Sequence, residues 1–362
     1  MNDGDMLQIV LLGLVQIGKQ AAACTHDSAV QTVGRRPFPQ LCPRQFPGLF
    51  QLKPPFSALL HIGAQLVPQE RRQSIVGKQG VGQQHFPGRK ARHLIGQTLA
   101  GAAAAYYRFC TELLDALKDV VPAVKLQSAC FEALGADGIA QMQRICACAK
   151  ELGYYVLIDS MRGDVGNIAE IHAQAMFGSV PVGQTLHQVY CCDAVTVNGY
   201  LGSDGVKPYL PYCKKDGKNI FLLLKTSNKS SREVQDLLSG DRVIYTAMAD
   251  LAMRWSTDLF GSHGYSEIGA VVGATYPQTL KLLREKYDRL FFLVPGYGAQ
   301  GGTAKNVQFA FDRFGHGAVV AASRSIICAW QKTGSDGTDY TDCAVAAAHK
   351  MKNDIGKYVV IL

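Results

Sequence analysis

From Ala105 onward the chain alternates between two hydrophobic rhythms. Tyr106, Cys110, Leu113, Leu117 and Val120 recur at helical spacing, with Arg108, Glu112, Asp115, Lys118 and Asp119 on the opposite, wet face. An apolar run from Val121 to Leu126 follows and reads as a strand. A second helix carries Ile139, Met142, Ile145, Ala149 and Leu152 on one face. It stops at Gly153, a residue suited to a left-handed cap. Tyr155 to Met161 then reads as a buried strand. Apolar runs return at Ala194–Tyr200, Phe221–Ser227, Ile268–Thr275, Leu290–Gly296 and Gly317–Ser325, each ending in polar residues or glycine. Helical segments lie between them at Ile168–Phe177, Ser231–Leu238, Pro277–Tyr287 and Ala304–Phe314, with Pro277 fitting a first turn. Strands that are apolar on both faces belong to a parallel sheet covered by helices. Seven such strands with connecting helices predict an α/β fold, a (β/α)8 TIM-type barrel whose first strand is incomplete or atypical. A doubly wound open sheet is the structural alternative.

Residues 1–104 have a different texture. They hold 8 of the 14 prolines and many glutamines, in strings such as Arg35-Arg36-Pro37-Phe38-Pro39-Gln40. Neither the helical nor the strand period persists there. Ile9–Val15 and Ala58–Val67 are the pieces that could form elements. This Pro/Gln/Arg-rich stretch is expected to be a poorly ordered extension, or the product of a shifted reading frame or a wrong start. The expected organisation is therefore an atypical segment over 1–104, a barrel over 105–332 and a C-terminal helix or tail over 333–362, with Thr341–Lys352 helical.

Composition narrows the class. Of the 362 residues 48% are hydrophobic and 18% charged, which is globular. The net charge of +8 raises a nucleic-acid reading, but the excess sits in the first hundred residues, with 11 Lys/Arg against 4 Asp/Glu. The remainder is balanced and carries no basic stripe, so no nucleic-acid partner is expected. No apolar run reaches the length of a membrane span. Ile9–Val15 follows Asp3 and Asp5 rather than a basic stretch, unlike a signal peptide. The 11 cysteines include no C-x-x-C spacing, so reduced core thiols in a cytoplasmic protein are expected, without disulfides or zinc. His172, His187, His263 and His316 have no metal-binding spacing.

Candidate chemistry gathers at the C-terminal ends of the strands, the face where such barrels build active sites. Lys125, Asp159, Asn198, Thr226-Ser227-Asn228 and Ser323-Arg324-Ser325 stand at strand ends, and Asp164 lies in the loop after Asp159. The run Pro295-Gly296-Tyr297-Gly298-Ala299-Gln300-Gly301-Gly302 closes another strand. Glycines let backbone N–H groups approach an anion, and Arg324 adds a planar fork for phosphate oxygens. Taken singly, Asp159 and Asp164 also read as solvated or capping carboxylates, with Arg162 between them able to neutralise either. Lys125 alone also reads as a rim lysine with its stem buried. Taken together, carboxylates and a lysine over a phosphate site point to electrostatic catalysis on a phosphorylated substrate.

Residues from about 105 to 332 resemble orotidine 5′-monophosphate decarboxylase of the bacterial long form. The resemblance is carried by PAVKLQSACFEALG (122–135), VLIDSMRGDVGNIAE (156–170), DAVTVNGYLGSDG (193–205), LLLKTSN (222–228), GAVVGATYPQ (269–278), FLVPGYGAQGG (292–302) and AASRSI (321–326). It implies a barrel that forms a homodimer with sites at the interface. It implies conversion of orotidine monophosphate to uridine monophosphate and carbon dioxide in pyrimidine biosynthesis, with no cofactor or metal. By position, Lys125 matches the lysine that begins the family's charged array. Asp159 and Asp164 match the first and last residues of its D-x-K-x-x-D motif, the last reaching into the partner's site. Ser227 falls where the pyrimidine is contacted, and Pro295, Gln300, Gly301, Gly302 and Arg324 fall on positions lining the base and phosphate pockets.

The chain departs from this pattern at several points. Met161 occupies the position of the proton-donating lysine, and a thioether has no proton to give. Arg162 is adjacent, points to the other side of a strand and is a poor acid. Ile168 stands where the family has a hydroxyl residue, and Gly199 replaces a usual proline. The family's first strand has no counterpart in residues 1–104, so the barrel either lacks it or completes itself with a segment such as Ile9–Val15. A magnesium-dependent barrel lyase acting on a sugar phosphate is a further alternative, which the TSN and PGYGAQGG segments fit less well.

Overall fold

The computed structural model describes residues 98–361 and the backbone of Leu7–Leu11. The expectation at Ala58–Val67 lies outside the described residues. Eight strands among the described residues make up the main sheet: β1 Leu7–Leu11, β2 Ala123–Gln127, β3 Tyr155–Arg162, β4 Ala194–Val197, β5 Asn219–Lys225, β6 Ile268–Val272, β7 Phe292–Pro295 and β8 Ala318–Ala322. They close into a barrel in chain order. The open-sheet alternative is thereby set aside.

Strands β2 to β8 run parallel to one another. Strand β1 fills the gap between β8 and β2 and is antiparallel to both, with Ile9 opposite Ala322 and Val124. The barrel thus departs from the all-parallel form. A strand edge presents a row of unpaired N–H and C=O groups, and these can be met by a strand of either direction.

Alternation along each strand sorts the side chains. Ala123, Leu157, Ala194, Phe221, Val271, Leu293, Val319 and Ala321 form one apolar cluster inside the barrel. Gly269 makes room for it, because a Cβ there would lie 2.6 Å from the Phe221 ring. Val124, Leu126, Val156, Ile158, Val195 and Leu222 face outward and join the helices in a larger core.

The longer helices are α1 Leu99–Leu117, α2 Gly135–Glu151, α3 Gly166–Phe177, α4 Ile244–Trp255, α5 Pro277–Lys286 and α6 Tyr340–Gly356. Helix α1 begins upstream of Ala105, where Thr98 Oγ1 accepts the Gly101 N–H at 3.0 Å. Its buried face carries Tyr106, Phe109, Cys110, Leu113, Leu114 and Leu117. After α2, Gly153 adopts the expected left-handed conformation at φ 85°. Among the described residues, Cys110, Cys146, Cys148, Cys191, Cys192, Cys213 and Cys343 are free thiols. Burial pushes Cys110, Cys146 and Cys213 up to about 12, far from thiolate chemistry.

Two expected helices differ. Ser231–Leu238 is not helical: Lys229–Glu233 forms a 3-10 turn, and Leu238–Ser239 pairs with Arg242–Val243 in a short hairpin. The helix of this connection is α4, downstream of the turn at Gly240 (φ 66°). Ala304–Phe314 shortens to Ala304–Val307 followed by a 3-10 turn, started by a Thr303–Asn306 capping box. A hairpin of Ser179–Val182 with Thr185–Gln188 was not legible in the sequence, because its exposed residues follow no apolar alternation.

Arg284 on α5 holds one side of the barrel together. Its guanidinium lies 4.1 Å from the Phe292 ring centre and is buried. It donates to the carbonyls of Ala310 (2.8 Å), Asp288 (2.9 Å), Leu290 (2.9 Å) and Gly317 (2.6 Å), joining α5 to the segments entering β7 and β8. Burial pulls its pKa down to about 10, so it stays charged at neutral pH. Arg284→Lys keeps the charge and loses the planar fork, so it is expected to cost about 2–4 kcal/mol in urea unfolding. A loss below about 1 kcal/mol would contradict this role.

His172 on α3 bonds the hydroxyl of buried Tyr209 through Nδ1, and its buried Nε2 has no partner among the described residues. Burial lowers its pKa to about 4. The unfolded chain binds this proton near pH 6.5 and the folded chain only near 4. Its contribution to stability is therefore complete above 6.5 and lost as pH falls toward 4. His172→Gln should reduce the fall in unfolding free energy between pH 7 and pH 4 by about 1–2 kcal/mol, after discounting for partial exposure. An unchanged slope would rule this out.

Candidate active site

Above the apolar interior, the next inward positions on β2, β3 and β4 are Lys125, Asp159 and Thr196. Each follows an interior residue by two places: Ala123, Leu157 and Ala194. The Lys125 ammonium ion-pairs with Asp159 Oδ2, with side-chain exposures of 1% and 4%. The other carboxylate oxygen, Oδ1, accepts from Thr196 Oγ1 at 2.7 Å. Both oxygens of Asp159 are therefore engaged. Removing either charge strands the other in a low-dielectric site. Lys125 is thus a fully buried partner and not a solvated rim lysine.

Beyond Asp159 the pairing of β3 with β4 breaks. Ile158 sits opposite Val195, and the next matched pair is Arg162 with Val197. Two residues advance on β4 while four advance on β3, which is a bulge. At its crest Met161 has φ 47°, the one positive value outside glycine among the described residues. This left-handed conformation costs about 1–2 kcal/mol for a side chain with a Cβ. The Met161 N–H donates to Thr196 Oγ1 at 2.8 Å, and the side chain is 43% exposed. Arg162 turns outward to Glu132, at 2.7 Å on the surface, and neutralises neither aspartate. Asp164 is exposed and accepts the Val165 N–H at 2.8 Å. It shares no hydrogen bond with the Lys125–Asp159 pair among the described residues.

The glycine run after β7 is a compact loop. Gly298 N–H donates to the Gly302 carbonyl (2.8 Å), Gly301 to Gly298 (2.9 Å) and Gly302 to Gly296 (3.0 Å). It packs against the helix that follows β8, Arg324–Ile327, so closely that a Cβ on Gly298 would lie 2.8 Å from Ser325 Oγ. That hydroxyl is buried and has no hydrogen-bond partner among the described residues. Arg324 opens the same helix, half-buried, with its guanidinium in no ion pair among the described residues. Pro295 ends β7. Gln300 Oε1 folds back to 2.9 Å from where a Cβ of Gly296 would stand, and Ser227 Cβ lies 3.5 Å from the same point. The structure thus brings Ser227, Gln300 and the glycine loop together, and sets the loop against the start of the Arg324 helix.

Several residues at this rim were not singled out in the sequence. Thr196 looks like an ordinary β-branched strand residue. Lys225 ends the run FLLLK as Lys125 ends AVK, and that parallel was the available signal. Lys225 is buried, 2.5 Å from Asp236 and 4.4 Å from the Tyr276 ring centre. Gln235 Oε1 accepts the Thr226 N–H at 2.9 Å. These contacts anchor both ends of the loop carrying Ser227. An apolar cavity of about 210 Å³ lies at the opposite end of the barrel, against Tyr155, Asn219 and Phe291 at the strand starts. The interior apolar layer separates it from the charged rim.

A closed α/β barrel with charge gathered on the carboxyl rim of its strands is the architecture of a barrel enzyme. The family model "Orotidine 5'-phosphate decarboxylase / HUMPS family" matches residues 107–333, and the chain belongs to that family. It is 38% identical over 257 residues to the orotidine 5'-phosphate decarboxylase of Rhodopirellula baltica, covering 70% of this chain and 84% of that one. It is 35% identical over 255 residues to that of Clostridium perfringens strain SM101, covering 70% and 85%. Among solved structures, Leishmania donovani OMP decarboxylase superposes with TM-score 0.57 at 28% identity, over 73% of this chain and 89% of that one. A putative orotidine 5'-phosphate decarboxylase from Streptomyces avermitilis gives 0.59 at 27% identity, over 76% and 89%. No helix among the described residues is long and apolar enough to cross a membrane.

Asp159→Ala leaves Lys125 buried and unpaired, and should cost about 3–5 kcal/mol in urea unfolding. Replacing both, Lys125→Met with Asp159→Leu, should cost less than Asp159→Ala alone. Strictly additive losses would contradict the coupling.

Proposed function

We propose that the protein is a cytoplasmic orotidine 5′-phosphate decarboxylase, converting orotidine monophosphate to uridine monophosphate and carbon dioxide in pyrimidine biosynthesis. The reading calls for no cofactor or metal. The observation that carries it is the sealed Lys125–Asp159 pair on the rim of a barrel of this family. In this reading Asp159 faces the substrate's own carboxylate, which raises the energy of the bound ground state. Lys125 holds Asp159 and supplies fixed positive charge toward the carbanion that develops at C6. Ser227 and Pro295 meet the pyrimidine. Gln300, Gly301, Gly302 and Arg324 hold the phosphate, whose binding energy, remote from the reacting carbon, fixes the geometry. The catalytic body is the barrel of residues 105–332 completed by β1 and the first turns of α1, with α6 packed beside it.

The proposal extends to a homodimer. Val165, the extended residue that precedes α3, and Ile168 and Ile171 on α3 are exposed. Tyr200, 82% exposed, and Leu201 stand on the neighbouring turn. An apolar shoulder of this kind favours a protein partner. Asp164 begins it, and burial of the shoulder against a second copy would carry Asp164 to the partner's site, the role the resemblance implies.

Met161 favours a second reading, a catalytically impaired relative that binds a nucleotide monophosphate. With methionine at this position the C6 carbanion has no side-chain acid, since Lys125 is committed to Asp159. The test is a uridine monophosphate production assay with a parallel binding titration. The chain as it stands should bind uridine monophosphate and turn over poorly. Met161→Lys should raise kcat about 10²–10⁴-fold while nucleotide affinity stays similar. Full turnover by the unchanged chain would remove the impairment, and an inactive Met161→Lys would remove the decarboxylase reading.

A further inference from the structure

We infer that Thr196 is a positioning residue for the reaction, acting through the backbone of residue 161 and the carboxylate of Asp159; the inference rests on the decarboxylase reading. Thr196 is 1% exposed and touches both ends of the bulge. A backbone N–H can only donate, so the Met161 N–H bond at 2.8 Å occupies a lone pair of the Thr196 hydroxyl. The single hydroxyl proton is then committed to Asp159 Oδ1, at 2.7 Å. One oxygen therefore takes the direction of both bonds from its surroundings, and neither can reverse.

The bond to residue 161 stands in for the ladder. Between the pairs Ile158–Val195 and Arg162–Val197, β3 has residues with no backbone partner on β4, and the hydroxyl meets the amide that the bulge leaves over. That bond holds residue 161 at φ 47°, where its side chain leaves the strand in a direction an extended backbone would not give. The same hydroxyl fixes the rotamer of Asp159, while Lys125 fixes its other oxygen. Thr196 thus sets the angle between the charged pair and whichever side chain occupies position 161. In a charge-driven reaction such an angle governs the chemical step more than substrate binding.

The test compares Thr196→Val, which keeps the shape and loses both bonds, with Thr196→Ser, which keeps the hydroxyl. Thr196→Cys, a weak donor of similar size, covers the case in which the valine variant folds poorly. With Met161 retained, hydrogen exchange of the residue-161 amide should accelerate at least about tenfold in Thr196→Val and stay slow in Thr196→Ser. In the Met161→Lys background, Thr196→Val should lower kcat about 30–100-fold with KM within about threefold. Thr196→Ser should recover most of the rate, with Thr196→Cys between them. Unchanged exchange, or equal kcat with and without the hydroxyl, overturns the inference and leaves the decarboxylase reading intact. A Met161→Lys chain without turnover overturns the reading itself, and the inference with it.

Discussion

The interaction on which the rim depends is the ion pair between Lys125 and Asp159. Two opposite charges sit almost sealed from water above an apolar barrel interior. Their burial is tolerable only because each neutralises the other and the spare carboxylate oxygen is filled by Thr196. The geometry follows from period two: on β2, β3 and β4 the interior residue is Ala123, Leu157 or Ala194, and the residue two places on is polar. Three adjacent parallel strands in register then turn three separate sequence features into one array.

The rest of the carboxyl rim is arranged by close packing rather than by charge. The glycine loop after β7 lies against the start of the helix after β8 because Gly298 has no Cβ to strike Ser325. The loop carrying Ser227 is pinned by Lys225 to Asp236 and by Thr226 to Gln235. These contacts place the glycine loop, the start of the Arg324 helix and the loop carrying Ser227 on one face, while a separate apolar cavity occupies the other end. Fold and chemistry are segregated along the barrel axis, as a parallel barrel with loops at its carboxyl end requires.

Position 161 is where the architecture and the residue disagree. The bulge, the left-handed backbone and the hydroxyl at Thr196 are all in place to present a side chain there. The side chain presented is a thioether. Strain retained beside a charged pair has a functional logic when the residue contributes charge or a proton, and methionine contributes neither. In the proposed reading, the side chain at this position is the one that departs from the charged array beside it.

Much of this was legible in the amino-acid sequence. Seven apolar runs gave the parallel strands to within a few residues, because strands buried on both faces leave an unbroken hydrophobic record. The motif around Asp159 and the glycine run also stood out, since chemistry of that kind demands particular residue types at particular spacings. What tertiary structure alone decided was orientation and partnership. Strand β1 closes the barrel antiparallel, because hydrogen-bonding edges accept either direction and a local pattern carries no record of it. Arg162 turns to Glu132 instead of toward an aspartate, Thr196 becomes a bridge, and Lys225 finds Asp236. A linear pattern states which face a residue occupies; only the register between strands states what it meets there.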